Sequence, residues 1–427
     1  MASIQRRHWL VGAAALGVGG ALALRPSDQG GAHDAYFSTL QKALRAAGPA
    51  LPTLVVDRQR YFANLDSIAK TRQPGLALRV VVKSLPSLSL IEHALKAWNT
   101  ERVMIFNAQQ LLALARARPS VQVLLGKPMP VSTAAWVLDQ LAGLPFNAAR
   151  QIEWLIDTPE RAAQYRDLAR ARGVAMRLNV ELDVGLHRGG IEDDAALIAL
   201  LKVVQSEPLL RWSGFMGYDA HVAAIPDLPG ARSGAAEHAR SAYARHYATA
   251  QTVLGATARD TLTLNAAGSL TYHLHNGKQV PNEVSVGSAA VKPLDFERDS
   301  TAALQAASFI ATPVLKTMDA FRLPTGVEWI SRATAAWDPN QARALAIHGG
   351  HWLADPVSPP GVKPSGLYGA SSNQQVMVAP ASTPLAVDDW VFLRPRQSEA
   401  VFLQFGDIAV FDGQRITERW PVFAASA

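Results

Sequence analysis

The 427-residue chain contains no cysteine. That single absence removes disulfides, thiolate nucleophiles and cysteine-ligated zinc or iron–sulfur centres from consideration. Runs of five or more basic residues are missing too, so 41 Lys and Arg against 35 Asp and Glu give a scattered net charge of +6. Such a surface offers nucleic acid no continuous basic patch. There are also no internal repeats and no low-complexity tracts in the body of the chain. What is there is a globular composition, 49% hydrophobic and 18% charged, in a chain long enough for one large core and a smaller second domain.

The N-terminus reads as an address. Arg6-Arg7 precedes an uncharged stretch, Trp9–Leu24, that ends at Arg25-Pro26. As a helix, those residues span about 24 Å, short of the roughly 30 Å hydrocarbon core, so an exported and cleaved leader outranks a transmembrane helix. The paired arginines fit the twin-arginine route, and Ala21-Leu22-Ala23 is a plausible cleavage triplet. Residues 1–26 are therefore expected to be a signal peptide, with a periplasmic mature protein that keeps no stable membrane contact.

From about Leu51, short β-rich apolar runs alternate with helical stretches, the mark of a parallel sheet. The strand candidates are Thr53–Val56, Leu78–Val82, Val103–Phe106, Val121–Leu125, Glu153–Ile156, Ala175–Val180, Trp212–Met216 and Thr261–Asn265. Between them, Arg58–Thr71, Ser132–Leu141, Pro159–Arg172 and Ala235–Leu254 carry helical apolar spacing. Eight such repeats predict an α/β fold, a (β/α)8 TIM-like barrel over residues 27–290. The glycine fingerprint of dinucleotide folds is missing after the first strand, where Val56-Asp57-Arg58-Gln59 runs straight into a helix. After about Ser285 the texture changes to short strand-like runs, including Val376–Ala379, Trp390–Leu393, Val401–Phe405 and Ile408–Phe411, which predict a mainly β domain over 291–427. Asp412-Gly413 signals a hairpin, and Asp355–Gly369 reads as a long loop.

Lys83 ends the apolar run Leu78–Val82, at the strand end where barrel active sites are built. Desolvation there favours the free amine, the form that condenses with a carbonyl. Around it the chain resembles the D-threonine aldolase and D-serine dehydratase family, a branch of the alanine-racemase-like pyridoxal phosphate enzymes. The likeness rests on Leu51–Asp57, Leu78–Ser84, Asp183-Val184-Gly185-Leu186-His187-Arg188-Gly189-Gly190, Gly217-Tyr218-Asp219-Ala220-His221, Asn265–Tyr272 and Glu283–Ser288. It runs from about residue 50 to Pro421 and is weaker in the C-terminal third.

The resemblance implies pyridoxal 5′-phosphate bound to Lys83, with Arg188 toward its phenolic oxygen, His221 against its ring and Tyr218 toward the substrate. Asn265, Gly268, Ser269, Gly287 and Ser288 would complete the cofactor site. Backbone N–H groups and hydroxyls at the two Gly-Ser turns suit a phosphate dianion. The family's metal-binding histidine and its partner two residues on are replaced by Gln397 and Glu399, and its upstream glutamate–histidine–glycine segment by Asn373-Gln374-Gln375. A neutral amide is a poor ligand, which leaves the divalent metal without its usual residues. His348 and His351 are weak substitutes.

The expectation is a lyase for D-β-hydroxy-α-amino acids with Glu399 as base. The alternatives are a metal-free racemase using Lys83 and Tyr218 or Tyr368, and a non-catalytic cofactor binder. By resemblance the protein takes a small amino acid and forms a homodimer.

Overall fold

The computed structural model describes residues 25–226 and 228–425, so the expected leader lies almost wholly outside the described residues. No described helix is long and apolar enough to cross a membrane. Packing divides the chain into two compact units that do not follow the linear boundary expected at 290. One comprises residues up to Val55 with Phe309–Pro395 and Gly413–Ile416; the other comprises Val56–Ser308 with Arg396–Asp412 and the C-terminal residues from Thr417.

The larger unit is the barrel. Its strands are β2 (Ala77–Val81), β3 (Arg102–Ile105), β4 (Gln122–Leu125), β5 (Ile152–Ile156), β6 (Met176–Leu182), β7 (Leu210–Gly217), β8 (Thr263–Ala266) and β9 (Glu283–Val286). Each is parallel to the next, and β9 closes on β2 through Ala77↔Glu283 to Val80↔Val286. Local signals place the helices. Asp57, Asn107, Thr158 and Asp193 each cap a helix by accepting a backbone N–H three residues on, removing one of the orphan donors of the first turn. Gly173, in the left-handed conformation, ends Pro159–Arg172.

The count of eight holds, but one member differs. Thr53–Val56 lies in β1 (Thr53–Asp57), outside the barrel, and the eighth barrel strand is β9. A buried apolar run reads alike in a parallel barrel and an antiparallel core. The helix Arg58–Thr71, which follows β1, does join the barrel. Asn64 donates to the carbonyls of Ala290 and Gln305, and Trp98 donates to that of Leu65.

The smaller unit is an antiparallel sheet. Strands β10 (Ser308–Met318), β11 (Arg343–His348), β12 (Ala354–Ser358), β13 (Lys363–Pro364), β14 (Gln374–Ala379) and β15 (Trp390–Pro395) run in the order β13-β14-β11-β10, with β15 joining β10 to β12. Part of the loop expected over Asp355–Gly369 is thus strand, because β15 supplies ladder partners that the sequence cannot show. The hairpin at Asp412-Gly413 is present between β16 (Ile408–Phe411) and β17 (Ile416–Trp420), with Gly413 at φ 98°. Val401–Phe405 is not a strand. It is a short 3-10 turn, Phe402–Gln404, anchored by Val401 and Phe402 N–H groups donating to the Ser398 carbonyl.

Candidate active site

The C-terminal ends of the barrel strands surround a cavity of about 150 Å³. Lys83, Ser84, Phe106, Arg188, Tyr218, Asn265, Gly268, Ser269, Gly287, Ser288 and Glu399 all line it. Of the residues expected to bind the cofactor, His221 alone does not. It sits in the short helix Ala220–Ala224 and faces the Gly185 loop, where a Cβ on Gly185 would lie 3.1 Å from its Nε2. Burial lowers its pKa against the pull of Asp219 and Asp183, and its Nδ1 is buried without a partner.

Lys83 lies in the 3-10 turn Val82–Ser84 that ends β2. Its side chain is 44% exposed, less desolvated than the apolar run before it implies. The ammonium stands 4.8 Å from the Phe106 ring centroid and 3.6 Å from Glu399 Oε1. That carboxylate oxygen accepts from Ser84 Oγ at 2.8 Å and Ser288 Oγ at 3.3 Å, while Oε2 accepts only from Ser398 Oγ at 3.3 Å. Gln397 turns elsewhere, donating to Asp295 Oδ2 at 3.1 Å.

Arg188 reaches the mouth from the glycine-flanked loop after β6. Its guanidinium lies 5.0 Å from the Tyr218 ring centroid, and among the described residues it has no hydrogen-bond or ion-pair partner. Burial raises the Tyr218 pKa and Glu399 adds to the rise, while Arg188 opposes it. The hydroxyl therefore stays protonated at neutral pH and has a proton to offer. Gly268 is required by close approach, since a Cβ there would lie 2.6 Å from the Tyr218 ring; one on Gly287 would lie 2.8 Å from Ser84 and Val81 Cβ. Ser269 Oγ accepts from the Gly287 and Ala289 N–H groups, each at 3.1 Å. Its own proton remains available to a ligand. Asn265, almost fully buried, forms the floor and donates to Glu283 Oε1 and Ser285 Oγ, each at 2.8 Å.

Sequence reasoning missed the support under this mouth. Buried Asp219 accepts from Thr271 Oγ1 at 2.6 Å and pairs with His275 Nε2 at 2.7 Å, while Thr271 Oγ1 accepts from the Gly268 N–H. This fixes the turn that carries Ser269. The clue was Thr271 inside the phosphate-turn segment, with His275 three residues beyond its end. His348 and His351 belong to the smaller unit, as does Tyr368, whose hydroxyl donates to the Arg322 carbonyl. Among the described residues, the carboxylate–imidazole group close enough to share a cation is Asp183, His187 and Glu192. Asp183 in it is already engaged by the Gly185 and His187 N–H groups and the His187 ring.

Residues 56–293, just over half of the chain, match the family model for the alanine racemase N-terminal domain. The chain belongs to that family. Alanine racemases and their relatives are pyridoxal phosphate enzymes. Solved structures share the fold at low identity. A D-threonine aldolase from Filomicrobium marinum is 18% identical, with 87% of this chain and 94% of that chain covered and a TM-score of 0.67. A D-threo-3-hydroxyaspartate dehydratase from Delftia sp. HT23 is 15% identical, with 88% and 98% covered and a TM-score of 0.67. The alanine racemase of Bacillus anthracis is 14% identical, with 88% and 98% covered and a TM-score of 0.65. No curated protein matches in sequence.

Proposed function

We propose that the protein is a pyridoxal-phosphate-dependent lyase acting on D-configured β-hydroxy-α-amino acids, by aldol cleavage or dehydration. The cavity's chemistry fits the cofactor: one primary amine, an unpartnered guanidinium, and hydroxyl donors at two neighbouring strand ends. Lys83 would hold its aldehyde carbon, Ser269 its phosphate, Arg188 its phenolic oxygen, with Asn265 beneath. When bound, the cofactor supplies an electron sink for the charge left at an amino acid's α-carbon.

The observation that carries the lyase reading is Glu399 at 3.6 Å from Lys83 Nζ. It is the one carboxylate lining the cavity, and Oε2 has lone-pair capacity to take a proton from a substrate β-hydroxyl. Ser84 and Ser288 orient it. For aldol cleavage that proton comes from the hydroxyl as the Cα–Cβ bond breaks. For dehydration Lys83, its amine freed once the substrate's amine has taken its place, would remove the α-proton, and Glu399 in its protonated form would give a proton to the departing hydroxyl. Tyr218, held protonated, can donate but is a weak base at neutral pH.

Racemisation is the second reading, favoured by Gln397, which stands where the related lyases carry a metal-binding histidine and is engaged with Asp295. Incubation of cofactor-loaded protein with D-threonine and D-serine tests both. Glycine with acetaldehyde, or pyruvate, supports the lyase. Neither product, together with solvent deuterium entering Cα and both enantiomers appearing, would replace it with the racemase. Bound cofactor without any turnover would leave a carrier. We further propose export through the twin-arginine route and a homodimer, on the leader sequence and the family respectively; N-terminal sequencing of periplasmic material and sedimentation check them.

A further inference from the structure

A second cavity, about 510 Å³, opens at the same ends of β3 and β4. It meets the first at Phe106, which lines both. The ring lies over Gly126, where a Cβ would fall 2.3 Å from its Cζ, so it stands as a partition between them. Ile105 and Leu125 point out of the lumen here, and the space continues over the rim toward Trp136, which is 42% exposed.

The lining of this rim cavity has one charged side chain, Lys127. Among the described residues Lys127 has no hydrogen-bond or ion-pair partner, and neither do the hydroxyls of Ser132 and Thr133 or the amide of Gln109. The helix Val131–Leu141 begins beside them after Pro130, with no side chain capping its first turn. Lys127, Ser132 and Gln109 are exposed at this opening, and the lining carries one cation and no carboxylate, so its net charge is positive. Such a lining favours an anion.

We propose that the rim cavity is a subsite for the far end of the substrate and that Lys127 selects amino acids whose side chain ends in a carboxylate. The inference rests on the cofactor-site reading above, since that reading places the substrate's α-carbon at Lys83. Phe106 would set the length: a side chain must pass its edge before it meets Lys127.

The test is calorimetric titration of the cofactor-loaded protein with D-glutamate and D-2-aminoadipate against the uncharged D-glutamine and D-norleucine. Borohydride reduction and peptide mass analysis confirm beforehand that the cofactor is on Lys83. Acidic ligands should bind about five- to tenfold more tightly than neutral ones, the size expected of an exposed charge pair, and the preference should shrink with salt. Lys127→Gln should erase it and Lys127→Arg should keep it, with thermal melting points unchanged. Labelled protein that shows no preference in either pair, or a preference that survives Lys127→Gln, overturns the subsite. Failure to label Lys83 overturns the cofactor reading and this inference with it.

Discussion

The two ends of one barrel use charge in opposite ways. At the N-terminal end, Arg79 spends its donors on protein: two on Glu283, at 2.5 and 3.0 Å, and two contacts from Nη1 to the carbonyls of Val103 and Gln122. Arg102 adds a third bond to the same carboxylate, and a second cluster joins Glu153 to Arg177, Asn179 and Thr263. At the C-terminal end, Arg188 lies over the Tyr218 ring with no hydrogen-bond or ion-pair partner among the described residues, Lys83 is 3.6 Å from a carboxylate, and Ser269 keeps its proton. Charges that hold the barrel are paired around the buried carboxylates of Glu283 and Glu153; charges at the mouth keep spare capacity. Asn265 is the hinge between the regimes, bonded to Glu283 below and facing the cavity above.

The largest effect should come from breaking the saturated end. Burial alone would raise the Glu283 carboxyl, but Arg79 and then Arg102 outweigh it and hold the group ionised. Glu283→Ala leaves a fully buried guanidinium unpaired, and urea unfolding should show a loss of about 3–5 kcal/mol. A loss under about 1 kcal/mol would mean that the lower end is wetter than its packing indicates. Next comes Glu181, near the mouth, whose pKa burial and then Asp157 raise to about 7 despite Arg188. A carboxyl that binds its proton more tightly folded than unfolded contributes stability at low pH, and that contribution is lost as pH rises from about 4.5 through 7. Glu181→Gln should therefore gain on the order of 2 kcal/mol relative to the parent at pH 8 and little at pH 4. An equal effect at both pH values would refute the shift.

The two regimes were unequally legible in the sequence. Lys83 could be placed because four apolar residues, Leu78 and Val80–Val82, deliver it to a strand end, and an apolar run needs no partner to be recognised. The eight-fold repeat was legible for the same reason, while the identity of its last member was not. Leu54-Val55-Val56 and Val284-Ser285-Val286 are equally strand-like, and only hydrogen bonding from β9 to β2 decides between β1 and β9. The saturated charges were invisible, since Arg79 and Glu283 are 204 positions apart and no local pattern announces their meeting. Glu399 was found through resemblance, and its place beside Lys83 depends on a 3-10 turn that the pattern misread as strand. His221 is not among the residues that line the cavity, and a motif fixes sequence order without fixing which space a side chain enters.

Smaller effects probe the mouth. Gly268→Ala puts a methyl group 2.6 Å from the Tyr218 ring, and overpacking of this kind costs about 1–3 kcal/mol. Cofactor binding, followed by fluorescence titration, should weaken along with stability, because the displaced ring carries Arg188 with it. Unchanged binding would show that the turn can yield without disturbing the site. The smallest effect on folding and the sharpest on function should coincide at Lys83. Its ion pair with Glu399 has side chains 44% and 27% exposed, and such pairs contribute about 0–1 kcal/mol. Lys83→Ala should thus leave the urea midpoint nearly unchanged while abolishing borohydride-stable attachment of the cofactor. Glu399→Gln, which keeps the shape and removes the charge, should retain attachment but lose product formation from D-threonine and D-serine. If Lys83→Ala destabilised the barrel as much as Glu283→Ala does, the amine would be part of the scaffold, and the division between saturated and waiting charges would fail at the residue on which it matters most.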